Sequence, residues 1–315
     1  MRIHTARLTA GLLLACALAA TNTGNAATSA TPATSTAPAT ASTASSLEAE
    51  QEAAFKAAKA VQKAGPADIP LRDQAHLKLP EGYIWVPTPA AAQLMRSMGN
   101  RTDDTFIGAI FPADDNADWM AVVKFVKEGY IKDDDAKDWN ADDLLKSLKE
   151  GTEAANEERA KRGIPGIEVT GWAQKPQYEA ATHRLVWSAL SKKKGDTGDR
   201  QGVNYNTYAL GREGYLSLNL ITNAKDLDTY KPDAAKLLAA LQYDDGKKYA
   251  DFNSSTDKVA AYGLAALVAG VAVKKLGIFA LALAFLAKFA KIAVVAGGAA
   301  IWGVAKIFKK KNPEA

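Results

Sequence analysis

The chain has 315 residues, 48% of them hydrophobic, with a formal net charge of +4. That length suffices for one sizeable folded domain with appendages, and the single cysteine, Cys16, excludes an intramolecular disulfide framework. The positive balance is local: residues 258–315 carry nine lysines and one glutamate, a balance of +8 that leaves −4 for residues 1–257, and this argues against nucleic acid as a partner.

Arg2 and Arg7 precede an apolar stretch at 8–20, with Ala17-Leu18-Ala19 and Asn25-Ala26-Ala27 as candidate cleavage signals. Residues 1–20 read as a secretory signal peptide rather than a span. Leu13-Leu14-Ala15-Cys16 approximates a bacterial lipoprotein box, which makes Cys16 a candidate lipidation site. Residues 21–46 are mainly Ala, Thr, Ser and Pro, too poor in large apolar side chains to form a core, and are expected to be a disordered linker. Residues 47–66 form a helical spacer rich in Glu, Gln, Ala and Lys, stopped by Gly65-Pro66.

Residues 69–257 have the composition of a folded domain, which the leader marks as exported. Segments 75–79 and 82–86, broken by Pro80-Glu81, predict a short hairpin or two edge strands. Residues 89–98 read as a helix with proline in its first turn, ended by Gly99-Asn100. Segments 105–111 and 119–126 flank an acidic turn and predict paired strands. Residues 138–162 carry Leu144, Leu145 and Leu148 in a helical region that Gly151 divides or bends. Strands follow at 166–172, 183–189, 203–210 and 214–221, the last two joined in hairpin fashion through Gly211-Arg212-Glu213. A helix at 232–241 has proline near its start. Helices interspersed with strands that can pair antiparallel predict an α+β fold, with a mixed or mainly antiparallel sheet and flanking helices.

Beyond it, 258–275 predicts an amphipathic or packing helix, and 276–308 a transmembrane region. A helix over 276–305 is about 45 Å long against a hydrocarbon core of roughly 30 Å. Lys288 and Lys291 interrupt it, at a cost of roughly 2.5–3.5 kcal/mol for a lysine at the centre of a span. One span is favoured over a hairpin. Lys306, Lys309, Lys310 and Lys311 then favour a cytoplasmic C-terminus with a basic tail at 309–315. The expectation is a C-terminal hydrophobic helical membrane anchor, single-pass in the bacterial inner membrane, with the main domain periplasmic or extracellular. Its partners would be the lipid bilayer, envelope proteins, and other copies through the C-terminal helices.

Several segments together carry a family resemblance: Gly129-Tyr130-Ile131-Lys132-Asp133-Asp134-Asp135-Ala136, Asn156-Glu157-Glu158-Arg159, Gly171-Trp172 with Pro176 and Tyr178, Thr182-His183-Arg184-Leu185-Val186-Trp187, Val203-Asn204-Tyr205, Leu210-Gly211-Arg212, and the run from Asp257 to Leu267. In these the chain resembles the DUF2167 family of bacterial membrane-anchored proteins over roughly residues 69–308. The resemblance implies a signal peptide, an exported α/β-type domain and a C-terminal anchor. It supplies no activity and no catalytic residues.

The acidic run containing Asp133 and Asp135 lacks the glycine and glutamate of an EF-hand loop. Capping and solvated surface explain it better than a divalent ion, for which Asp133 and Asp135 are the candidate ligands. No HExxH, G-x-S-x-G elbow or P-loop is present, and no cofactor is expected. His183, Asp135 and Arg212 are candidates for a catalytic site assembled from distant residues. Asn156, Arg159 and Arg184 are candidates for binding a carboxylate or phosphate. The favoured reading is a non-enzymatic, membrane-anchored interaction or scaffold domain of the envelope. Its rivals are an envelope hydrolase or small-ligand-binding enzyme, and a membrane tail that oligomerises or binds anionic lipid.

Overall fold

The structure, a computed structural model, describes residues 40–161 and 163–269, with side chains from Glu48 onward. Helix α1 (Thr40–Val61) leads into four strands, β1 (Lys63–Ala64), β2 (Ala67–Leu71), β3 (Ala75–Leu79) and β4 (Tyr83–Pro87). Helix α2 (Ala90–Ser97), strands β5 (Phe106–Pro112) and β6 (Met120–Val126) and helix α3 (Ala141–Lys161) follow. Then come β7 (Ile167–Glu179), β8 (Arg184–Lys193), β9 (Gly202–Leu210) and β10 (Tyr215–Asn223), helix α4 (Leu227–Ala239), β11 (Leu241–Tyr243) and helix α5 (Leu264–Ala269).

Eight strands form one antiparallel sheet in the order β1-β4-β5-β6-β10-β9-β8-β7, and β11-β3-β2 form a small antiparallel second sheet. The alternation of the strands explains the layering, because successive side chains point to opposite faces. On one face Trp85, Ile110, Val123, Leu218 and Tyr205 pack with Leu77 and Leu79 of the small sheet and Leu237 of α4. On the other, Ile84, Val86, Ala109 and Val122 pack with Ala54 and Ala58 of α1 and Leu94 and Met95 of α2. The observed class is therefore α+β with antiparallel sheets and flanking helices.

The expected hairpin between 75–79 and 82–86 does not form: β3 and β4 lie in different sheets. The burial patterns give the reason. In β3, Ala75, Leu77 and Leu79 are buried while His76 and Lys78 point outward, which suits a one-sided sheet. In β4, Tyr83 and Trp85 serve one core and Ile84 and Val86 the other, which requires an inner strand. Helix α3 also runs unbroken past Gly151. Leu144, Leu148, Thr152 and Asn156 recur every fourth residue along its packed face and Gly151 lies off it, exposed, so the helix meets only the cost of about 1 kcal/mol for a mid-helix glycine. Helix α4 starts at Leu227 and contains Pro232, because burial of Leu227 in the main core extends the helix before the proline.

The anchor is a correction. The expected span at 276–308, its lysines and the basic tail lie outside the described residues, as do the leader and Cys16. Among the described residues no helix is long and apolar enough to cross a membrane. Of the two longest, α3 carries charged residues throughout and α1 carries them from Glu48 onward. The anchored part of the fold class, the single-pass inner-membrane localisation with a periplasmic domain, the lipid-bilayer partner and self-association through C-terminal helices are withdrawn on that finding.

Candidate functional site

Three segments far apart in sequence meet below the β7–β8 turn. The first leaves β6 through Gly129, whose φ of +101° and closeness to the Lys258 carbonyl, 2.5 Å from where a Cβ would sit, leave no room for a side chain. Tyr130 then donates its N–H to the Lys258 carbonyl (2.8 Å) and accepts from the Ala260 N–H (2.8 Å). This pins the first segment to the third, 249–260. Four rings stack across the junction: Phe252 on Tyr130 (centroids 3.8 Å apart), Tyr130 on Tyr249 (4.3 Å), and Tyr249 on His183 (4.1 Å). The Tyr249 hydroxyl donates to the Ile131 carbonyl at 2.8 Å.

His183 belongs to the second segment, the β7–β8 turn, with a φ of +53°. Its carbonyl accepts the Leu210 N–H at 2.9 Å, so the turn is tied to β9 and the ring is aimed at the stack. The Tyr178 hydroxyl, from the end of β7, lies 2.7 Å from Asp133 Oδ2 and 3.2 Å from His183 Nδ1. Asp133 Oδ2 is 3.9 Å from that nitrogen, an ion-pair distance rather than a hydrogen bond. Burial first, and then the Asp133 carboxylate, push the Tyr178 phenol well above its ordinary value, and burial does the same for Tyr249. Both phenols therefore serve as neutral donors. The His183 and Asp133 side chains keep 32% and 29% exposure, so this end of the stack meets solvent.

The three residues proposed for catalysis do not act together. Asp135 gives both carboxylate oxygens to the start of α5, accepting the Leu264 and Ala265 N–H groups at 3.0 Å each. Arg212 donates two hydrogen bonds to Asp257 (2.6 and 2.8 Å) and a third to the Gly246 carbonyl (3.1 Å). Only His183 stands at the exposed cluster. Among the described residues no group of histidine, cysteine and acidic side chains could hold a metal ion. Asn156 pairs with the backbone of Ile167, and Arg159 donates to the Pro165 carbonyl at 2.9 Å, so both hold the α3–β7 turn. Arg184 begins β8 beside His183. A shallow groove of about 370 Å³ lies between α3 and β7 at Glu150, Glu153, Glu168 and Val169. From Val169 to Tyr178 is about 30 Å of strand, so the groove is separate from the histidine.

The Arg212–Asp257 pair yields a testable pH effect. The Arg212 guanidinium, followed by the Asn253 N–H, holds the Asp257 carboxyl well below the usual carboxylate range. A depressed carboxyl contributes stability that is fully present above its unfolded value of about 3.9 and is lost as pH falls toward the folded value. Urea midpoints measured from about pH 6 to about pH 2 are expected to fall on the acid side, and to fall less steeply in Asp257→Asn. Identical acid limbs would remove the pair from the account.

A family model described as "Protein of unknown function (DUF2167)" matches residues 63–298. The chain belongs to the DUF2167 family. The DUF2167 match takes in every strand of both sheets and the whole ring stack. The membrane-anchored description attached to the resemblance is corrected, since no membrane-spanning helix occurs among the described residues. No curated protein matches the chain. Among solved structures, the DUF2167 chain is similar to the solution structure of cyanobacterial PsbP (CyanoP) from Synechocystis sp. PCC 6803, at 13% identity and a TM-score of 0.34, over 58% of this chain and 91% of that one.

Tyr130, Tyr249 and Phe252 were not legible as site residues. Each belongs to a short irregular segment with no periodicity, and they meet only because 249–260 pairs with Tyr130. Tyr178 and His183, five residues apart across a tight turn, were the part a sequence reading could place together.

Proposed function

We propose that the domain is a non-catalytic recognition module for an arginine-bearing peptide segment, bound at the Asp133–Tyr178–His183 end of the ring stack. One observation carries this reading. Asp133 is a partly exposed carboxylate that accepts from Tyr178 on Oδ2, while among the described residues no donor reaches Oδ1. A guanidinium pairs with a carboxylate through a planar fork and lies flat on ring faces, and the half-exposed His183 ring borders the same acid. The molecule uses this chemistry internally, where Arg212 engages both oxygens of Asp257.

The membrane-anchored envelope reading and its hydrolase and lipid-tail rivals are set aside. No spanning helix or catalytic cluster occurs among the described residues, and Asp135 and Arg212 are committed to structural bonds. In calorimetric titration of the full chain, an arginine-bearing tetrapeptide is expected to bind, and the same peptide with the uncharged isostere citrulline to bind at least about tenfold more weakly. Asp133→Asn is expected to remove that preference while its thermal transition shows the domain still folded. Equal binding of both peptides, or an unchanged preference in the variant, would sink the reading.

A further inference from the structure

We infer that His183 makes this site proton-gated, so that arginine recognition and protonation of His183 exclude each other; the inference rests on the recognition reading above. The Tyr178 hydroxyl sits between two acceptors, Asp133 Oδ2 at 2.7 Å and His183 Nδ1 at 3.2 Å. With the imidazole neutral, the phenol hydrogen goes to the carboxylate and the negative charge of Asp133 remains open to a guest cation. Protonation turns both ring nitrogens into donors. A positive charge then lies 3.9 Å from Asp133 Oδ2 and offsets the carboxylate charge that a guest guanidinium on Oδ1 would use.

The surroundings keep His183 from turning away. The positive φ of the turn, the bond from the Leu210 N–H to its carbonyl and the stack on Tyr249 hold the ring in place. The polar and charged groups facing it are few. Asp133 comes from the segment after β6, which also brings Tyr130 and Asp134 to the cluster, Tyr178 from β7, Tyr249 from the 3-10 turn at Tyr249–Asp251, and Arg184 is the next residue in the chain, at the start of β8. Tyr178 and Tyr249 are phenols raised by burial and stay neutral through the range concerned. Imidazoles as a class change charge between about pH 5 and 8. Among the described residues Asp133 is the carboxylate at ion-pair distance from His183, and it is there that guest and proton compete.

The test is titration of the full chain with the arginine-bearing tetrapeptide at about pH 7.5 and about pH 5.5. Affinity is expected to weaken by roughly fivefold or more on acidification. In His183→Asn, chosen because asparagine tolerates the left-handed backbone at this turn, the affinity, whatever its level, is expected not to vary over that range. A second measurement is independent of the variant's fold and affinity. By reciprocity of linkage, saturating peptide is expected to move the NMR titration midpoint of the His183 imidazole downward by the same factor. His76, which pairs with Asp68 on the small sheet, serves as the internal control. Arginine-specific binding with no midpoint change at His183 would overturn the gate and leave recognition standing. Failure of the wild-type chain to bind the peptide at either pH would overturn the recognition reading and the gate with it.

Discussion

Gly214→Ala is expected to destabilise the domain by about 3–5 kcal/mol. A Cβ at this position would sit 1.9 Å from the Val126 carbonyl oxygen, 2.9 Å from its carbon and 3.1 Å from Lys127 Cα. All three are backbone atoms, so no side chain can swing aside. The φ of +155° adds a conformation that an L-residue rarely adopts. Overpacking costs about 1–3 kcal/mol and local backbone strain a similar amount. The site also opens the pairing of β10 with β6, where Tyr215 faces Val126. Separating the two backbones there loosens the middle of the eight-stranded sheet. Chemical denaturation of the variant checks this, and a loss below about 1 kcal/mol would mean that the hairpin shifts without consequence.

Asn156→Ala is expected to cost about 2–4 kcal/mol and to promote self-association. The side-chain amide of Asn156 donates to the Ile167 carbonyl at 2.8 Å and accepts the Ile167 N–H at 2.8 Å. It therefore acts as a one-residue strand partner on the outer edge of β7, the last strand of the sheet. Alanine would leave a buried donor and a buried acceptor unpaired, at about 1–3 kcal/mol each. It would also expose a strand edge that is otherwise blunted farther along by register shifts between Val169 and Gln177 and by Pro176. Urea unfolding reports the first effect. Light scattering and hydrogen exchange at the Ile167 amide report the second, and unchanged protection there would remove Asn156 from this role.

These two residues show what a sequence can and cannot disclose. Gly214 lies in a turn that strand alternation on both sides makes legible, but its need for glycine comes from Val126, which is distant in the chain. Asn156 reads as a polar residue on a helix and a candidate ligand contact. Its task follows only from α3 lying along β7. The same holds for Asp135 and Arg212, which read as chemistry and prove to be a helix cap and a turn clamp. A polar residue type states which bonds it can make; the partner that takes them is set by non-local packing.

By itself the sequence determined the α+β class, the approximate positions of most strands and helices, and membership of the DUF2167 family. Those properties reside in local alternation, turn residues and motif order, which survive without knowledge of contacts. The tertiary structure alone decided that β3 and β4 enter different sheets, that β7 ends its sheet under the guard of Asn156, and that Phe252, Tyr130, Tyr249 and His183 form one stack beside Asp133. Each of these joins segments distant in sequence. Such pairings are selected by how much apolar surface and how many backbone groups the whole arrangement satisfies, and no local period encodes that sum.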